Sequence, residues 1–568
     1  MNKKIVWLAF AFVLLLSTVY TTIWSSGFVT TVSPRTWTVD DDDGPADFHT
    51  IKEAIDGASD GDTIFVHNGT YYESIIIDKP LQMEGESKEN TTVDSSGIVT
   101  SRYNIHISSS DVSLRGFNIP KAPHYTPRHG IKIGELSEPC LKNINISGNR
   151  IGNCDHGIYI FNASDLNITN NEFVDNGETC ISIFSFGLRI QIIGNTMTLE
   201  EKLERSKGIE VSKSRNSLFG YNKITNIETG IHMSEGRGST YTHNELCKCK
   251  ISIIIDVAEN NTIDYNQMHD NDELCISLGR ALNNTISDNE IWNNFNGTGI
   301  RINSGENNTI AHNIIYNTQS GIDVSSSNYN SIRNNFIRNC SKEACRLTDS
   351  SFNGVEANVI CSCYCGISAT QNSRNNTICH NDFHLNEIQA YEYPEGTNHW
   401  DNGSVKEGNY WSDYEGEDQN DDGFGDTLAP HYRDRYPLIV PIQPVPVYWE
   451  QKRYDCIVLG NLTVSWLHLD KSKQLGFNIT GQGYCNLTIP RDLLDGAFRV
   501  LVNGTLMDVY SLTWTTTHTS THITYLSSTT QNVKVSAQIK TDYERADLNH
   551  DGKVDIKDLY LIAIHLGK

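Results

Sequence analysis

The sequence predicts a mainly β chain: a long parallel β-helix solenoid, then a small β-sandwich, then a short calcium loop followed by a helix. Three observations carry that reading. An asparagine followed by any residue and then an apolar one recurs at Asn149, Asn171, Asn195, Asn222, Asn244, Asn266, Asn289, Asn313, Asn335, Asn358 and Asn381, at spacings of 22 to 27 residues, which is a solenoid period. Within each period, short runs such as GIYIF, GIEV, GIRI and GIDV alternate between Gly or Asn turns, and alternation at period two marks strands. After residue 440 the repeat stops and longer alternating runs replace it, LTVSWLHL, LGFNIT and FRVLVNG among them, at the spacing of a sandwich.

Residues 1–30 hold an apolar run, IVWLAFAFVLLL, behind Lys3 and Lys4, the layout of an export signal or an N-terminal anchor. The run is shorter than the ~20 residues a spanning helix needs. Export also fits sixteen N-x-S/T sequons, the pattern of a glycoprotein. The formal net charge of −24, from 45 basic and 69 acidic residues, excludes an extended phosphate-binding surface and hence nucleic acid.

Residues 36–115 are expected to form the N-terminal cap and first coils. In FHTIKEAI, Phe48, Ile51, Ala54 and Ile55 fall on one helical face, as a cap covering an exposed sheet edge requires. Residues 116–390 are the repeats, with coils of two to three strands stacked at ~4.8 Å. Recurrent Asn at one turn position predicts a column of side-chain amides bonded to one another, at bends that need left-handed backbone.

These repeats resemble the right-handed parallel β-helix repeats of the pectate-lyase-like superfamily, in the carbohydrate-binding and sugar-hydrolase branch that includes NosD-type exported proteins. The resemblance extends upstream through WTVDDDDGPADFHTIKEAI, and GNYWSDYEGEDQNDDGFGDT in residues 391–440 resembles the segment that closes such helices. It implies the fold and a polysaccharide or glycan as partner.

A Pro-rich linker is expected at 441–449 and the β-sandwich at 450–540, where one disulfide between Cys456 and Cys485 is the simplest use of its two cysteines. Of fourteen cysteines, six lie between Cys340 and Cys379. They lack the paired C-x2-C spacing of structural zinc and read as disulfides or stacked thiols. At 541–568, DLNHDGKVDIKD sets Asp547, Asn549, Asp551, the Lys553 carbonyl, Asp555 and Asp558 at the six ligand positions of a calcium loop, with Gly552 at its sharp turn. This tail resembles half of a dockerin module, which implies calcium and a cohesin-like partner. Asp418, Asn420, Asp422 and Asp426 share the spacing but meet Ala429 at the twelfth position, so calcium or a solvated acidic turn are both open there.

Asp155 and His156 precede the glycine of a repeat and are expected at a coil bend, in a structural role. RHGIKIG, residues 128–134, resembles the histidine-glycine strand of polygalacturonase-type hydrolases, but the aspartates that family needs are not in register. The third residue of each G-I-x-Φ run points outward, because its neighbours point in. Down the stack this column reads Lys132, Tyr159, Ser182, Glu210, His232, Ser252, Ser277, Arg301, Asp323, Arg346 and Ser368. Glu210 with His232, and Arg301 with Asp323 and Arg346, are the candidate glycan-binding residues, set against a plain salt-bridge ladder. The expected function is an exported or cell-surface glycan-binding protein. A polysaccharide lyase or glycoside hydrolase, or a structural envelope protein, are the alternatives.

Overall fold

A computed structural model describes residues 33–537 apart from residue 43, residues 99–100, 121–127, 136–138, 404–407, 420–423 and 430–432, and short stretches between the strands beyond 441. Strands at three positions per turn stack into three parallel sheets of 15, 14 and 15 strands, here sheets I, II and III. One coil runs through sheet I at Thr262–Asp264, sheet III at Gln267–His269 and sheet II at Leu274–Gly279. The chain is therefore a parallel β-helix of about fifteen turns, as the period predicts.

The alternation explains the core. Ile131, Ile158, Ile181, Ile209, Ile231, Ile253, Ile276, Ile300 and Ile322 are register partners on successive strands of sheet II. All are fully buried, each stabilising the fold by roughly 1.5 to 3 kcal/mol. The helix Ile51–Gly57 buries Ile51, Ala54 and Ile55 and joins them to the same core as the first coils. Thr50 caps it by accepting from the Glu53 amide at 3.2 Å, and the Glu73 carboxylate accepts from the amides of Ile51 and Lys52. Those contacts satisfy N–H groups that a helix leaves unpaired at its start.

The repeated asparagines form an unbroken ladder. Each Oδ1 accepts both the backbone N–H and the side-chain Nδ2–H of the asparagine one coil earlier, at 2.9 to 3.1 Å from Asn149 through Asn381 to Asn409. The left-handed backbone falls one residue earlier than the repeat suggests. Tyr221, His243, Tyr265, Asp288, His312, Asn334, Ala357 and His380, each just before a ladder asparagine, have φ between 52° and 59°. The bend therefore tolerates tyrosine and alanine in a costly conformation because the buried amide beside it holds the turn closed. A second ladder, Asn261, Asn284, Asn308, Asn330, Asn353, Asn376 and Asn398, runs up another corner of the coil.

The β-helix ends at Asp434, which accepts from Asn409 N at 2.7 Å, Trp411 Nε1 at 2.9 Å and Tyr436 N at 3.0 Å. Trp411 stacks on Phe383 of the preceding coil, 4.6 Å between centroids. Residues beyond form two five-stranded antiparallel sheets, and one apolar cluster draws on both, from Val447, Val458 and Leu487 to Phe477, Val500 and Val535.

Two expectations need correction. The Pro-rich segment expected as a linker at 441–449 contains the strand Gln443–Trp449. It lies at a sheet edge, where prolines lacking N–H groups cost no ladder bond. The expected Cys456–Cys485 bridge is not formed, because antiparallel register sets Cys485 opposite Gly460. That is four residues, ~13 Å of strand, from Cys456 and beyond disulfide reach. Of the two readings of the Cys340–Cys379 cluster, stacked thiols is the one found at Cys340, Cys345, Cys361, Cys363 and Cys365. The export segment at 1–30 and the calcium loop and helix at 541–568 lie outside the described residues, as do Asn420 and Asp422.

Candidate functional site

The outer face of sheet II carries the site. Near the first coils a cleft of about 650 Å³ is lined by Arg102, Tyr103, His129, Lys132, Glu135, Tyr159 and Phe161, with Ser74, Ile76, Ile98 and Ser101 along its rim. Strand register explains the convergence: His129 pairs with Tyr103 on one side and His156 on the other, and Lys132 pairs with His106 and Tyr159. Their side chains form two adjacent outward columns.

Aromatic rings line these columns. His129 stacks on Tyr159 at 4.3 Å and on His156 at 5.3 Å, and Tyr159 meets Phe161 at 5.2 Å in a T-shaped contact. Lys132 pairs with Glu135, whose carboxylate also lies 3.7 Å from His106 Nε2. Burial, then the neighbouring His156 and Lys132, drive His129 down to about 3, so its imidazole is neutral at neutral pH. Burial likewise lowers His156, against the opposing pull of Glu178 at 3.2 Å. The Nδ1 atoms of both histidines are buried with no hydrogen-bond partner, which leaves polar capacity unused beside the cleft.

Asp155 and His156 divide as roles. Asp155 is structural: it accepts from the Arg128 backbone N–H at 2.9 Å and from its guanidinium at 2.6 and 3.1 Å. His156, expected at a bend, instead opens the strand His156–Phe161 and sits on the outer face.

Glu210 and His232 come together as expected, two coils beyond Tyr159. His232 Nδ1 is 3.7 Å from Glu210, its Nε2 is 3.1 Å from Asp256, and Lys207 pairs with Glu210. Hydrogen bonding by His232, aided by Lys207 against burial, holds Glu210 down to about 2. The same bond raises His232.

Arg301, Asp323 and Arg346 also meet, on three consecutive strands. Asp323 is 2 % exposed and is bonded by Arg346 at 2.6 and 3.1 Å, by Arg301 at 3.3 Å and by Ser325 at 3.0 Å. Burial pushes its carboxyl up, but Arg346, with Ser325 and Arg301, more than offsets this and leaves it below the usual range. The aspartate is consumed by the arginines, and the triad lies seven coils from Lys132, ~34 Å at ~4.8 Å per coil. One column position was misread. Ile254 pairs with His232 and Ser277, and Ser252 is buried in the glycine position of its coil. In KISIIID a serine replaces that glycine, and a shift of two keeps the alternation intact.

Sequence reasoning missed most of the cleft, whose far wall comes from early coils that lack the asparagine repeat. A signal existed for one other group, Glu245, Cys247 and His269 on sheet III, whose donor atoms lie within 4.8 Å of one another. Cys247 and His269 each stand three residues after a ladder asparagine.

A family model described as periplasmic copper-binding protein (NosD) matches residues 55–248 and again residues 228–416. The chain belongs to the NosD family. A curated NosD relative, the probable ABC transporter binding protein NosD of Pseudomonas aeruginosa, is 35 % identical over 130 residues. That match spans 23 % of this chain and 30 % of the relative's length. Among solved structures, this NosD-family chain is similar to DFA-IIIase of Arthrobacter chlorophenolicus A6, at 15 % identity and TM-score 0.40, over 52 % of this chain and 94 % of that one. It is also similar to the A-module of the mannuronan C-5 epimerase AlgE6 of Azotobacter vinelandii, at 12 % identity and TM-score 0.32, over 61 % and 91 %. Among the described residues no helix is long and apolar enough to cross a membrane.

Proposed function

We propose that this NosD-family protein acts outside the cytoplasm and binds a polysaccharide or glycan in the cleft on sheet II. One observation carries the reading: the cleft joins the aromatic rings of Tyr103, Tyr159 and Phe161 to Arg102 and to the Lys132–Glu135 ion pair. Its size falls within the ~300 to 1,000 Å³ of small-molecule sites. Sugar rings offer an apolar C–H face to aromatic carbon and hydroxyls to the polar rim, and a uronic carboxylate would meet the cations. The salt-bridged Arg301–Asp323–Arg346 triad is the weaker candidate, because its carboxylate is already satisfied.

The test is retention of acidic and neutral polysaccharides by the purified protein. Lys132→Ala weakens binding of an acidic glycan by about ten- to a hundredfold, the loss of ~1.5 to 3 kcal/mol expected for a contact to a charged group, and Tyr159→Ala weakens binding of acidic and neutral glycans alike through the lost ring contact. Arg301→Ala and Arg346→Ala leave retention unchanged, while Arg346→Ala, which strips the buried Asp323 carboxylate of its bidentate partner, lowers stability by roughly 1.5 to 3 kcal/mol. Loss of retention in the arginine variants alone would move the site down the solenoid. New reducing ends or unsaturated products would establish a lyase or hydrolase instead.

Calcium belongs to the same reading. The loop at Asp547, Asn549, Asp551, Lys553, Asp555 and Asp558 is proposed to order around one ion, since its carboxylates repel one another without it. A cohesin-like partner would then dock on the ordered tail. Asp547→Ala in the full chain should remove one calcium equivalent by equilibrium dialysis; an unchanged stoichiometry would refute the assignment.

The family description names copper. Copper favours thiolate and imidazole donors, and the Glu245, Cys247 and His269 group supplies one of each with a carboxylate. That set fits the metal's chemistry, on a different sheet from the cleft.

A further inference from the structure

The geometry points to a transition-metal site on the outer face of sheet III, with Cys247 Sγ, His269 Nε2 and a Glu245 carboxylate oxygen as ligands to one thiophilic cation. It stands apart from the cleft and does not depend on the glycan reading. The β-helix builds the site from two adjacent rungs. Glu245 and Cys247 are two residues apart on one strand and so share its outward face. Parallel register places His269 directly beside Cys247. Between them Leu246 and Met268 are buried in the core, which fixes both strands and holds the donors in place.

The imidazole is held and aimed. Its Nδ1 contacts Asp270 Oδ2 at 2.7 Å and its ring stacks on Trp292 at 4.5 Å, 15° from parallel. Its Nε2 faces Glu245 Oε1 at 4.0 Å. A carboxylate on one ring nitrogen leaves the other presented to a metal, the arrangement that supports ligating histidines. On the coil before, the Thr225 hydroxyl lies 3.3 Å from Cys247 Sγ, placed to donate to a thiolate. Lys223 bonds the same Glu245 Oε1 at 2.8 Å, so an ion binding there shares the carboxylate with the lysine or displaces it.

The donor set selects the class of ion. Calcium and magnesium take oxygen ligands, whereas a sulfur, a nitrogen and one oxygen suit zinc or copper. Three protein ligands leave a fourth position open, as in sites that exchange ions or bind a further ligand. Binding forms the metal–sulfur bond and releases the Cys247 thiol proton to water, with no change of oxidation state.

The experiment titrates cobalt(II), zinc(II) and copper(I) into metal-free full-length protein against a competing chelator, following bound metal and the sulfur-to-cobalt charge-transfer band. Wild type is expected to take up one equivalent with that band. Cys247→Ser should abolish the band and weaken binding at least a hundredfold, and His269→Gln should weaken it comparably. Asp270→Asn should weaken it about tenfold through the positioning of His269, with the melting profile unchanged. Tighter binding of copper than zinc, or the reverse, identifies the ion and supports the site equally. A band that persists in Cys247→Ser, or the absence of any stoichiometric equivalent in wild type, would overturn the proposal.

Discussion

Replacing Asn313 with alanine is expected to cost the β-helix about 4 kcal/mol, read as a lowered urea midpoint of its unfolding transition. The side chain is fully buried and serves three coils. Its Oδ1 accepts from Asn289 N at 3.1 Å and Asn289 Nδ2 at 2.9 Å. Its Nδ2 lies 3.0 to 3.1 Å from the carbonyls of Ile286 and Ala311 and from Asn335 Oδ1. Alanine leaves the Asn289 backbone N–H and at least one acceptor buried and unpaired, at ~1 to 3 kcal/mol each, while Asn289 Nδ2 keeps the carbonyls of Ile263 and Ser287. It also unlocks the bend at His312, whose φ of 59° is held by its neighbours. Asn313→Asp should be comparably harmful, since it keeps the acceptor, loses the donors and buries a charge. The exposed Asn303→Ala at the end of the preceding coil should change stability by less than ~0.5 kcal/mol. Equal effects at Asn303 and Asn313 would show that the ladder contributes nothing special.

The second large effect lies at the closing end. Asp434 is fully buried, and burial, opposed by bonds from Asn409, Trp411 and Tyr436 and reinforced by Asp401, pushes its carboxyl up to about 6 from an ordinary 3.8. The folded state therefore holds this proton more tightly than the unfolded state. Between pH 3.8 and about 6 the folded chain binds more protons, so the group's contribution falls as pH rises through that window and is level above it. The difference amounts to ~2 to 3 kcal/mol. Asp434→Asn keeps an acceptor and removes the charge, so its stability relative to wild type should rise between pH 4 and pH 7. Asp382, also raised to about 6, is common to both proteins and cancels in the comparison. Asp434→Ala strands three donors and should lose about 3 kcal/mol at pH 7. A pH-independent difference between wild type and Asp434→Asn would refute this account.

The fold was legible because one physical constraint wrote itself into the chain many times. A corner needing a buried amide selects asparagine, and Asn149 to Asn381 report each coil by number. The cap helix was equally plain from Ile51, Ala54 and Ile55, whereas Phe48, read onto the same helical face, lies before the helix in a bridge to Val39. Registration failed at Ser252, where the glycine marker is lost and period two allows a slip of one side-chain pair. The candidate residues divided by the same logic. Glu210 with His232, and Arg301 with Asp323 and Arg346, share one column and were brought together by counting. The cleft was not legible, because Ser74, Ile98 and Tyr103 lie in coils without the marker and meet His129 and Tyr159 only in three dimensions. Cys247 and His269 were within reach of the count, which followed one column of sheet II and left sheet III unread.

The asparagine ladder makes length a variable that changes in whole steps. Every ladder residue offers the same acceptor to the coil before and the same donors to the coil after, so the joint between any two coils is chemically interchangeable. Excising residues 289–312 would set Asn313 beneath Asn266 and restore each bond, shortening the rod by ~4.8 Å. Cutting half a coil would leave amides facing carbon. A rod of this kind can be lengthened or trimmed like a stack of coins, and the distance between the cleft at one end and anything displayed at the other is set by counting coils, with no need to redesign the core.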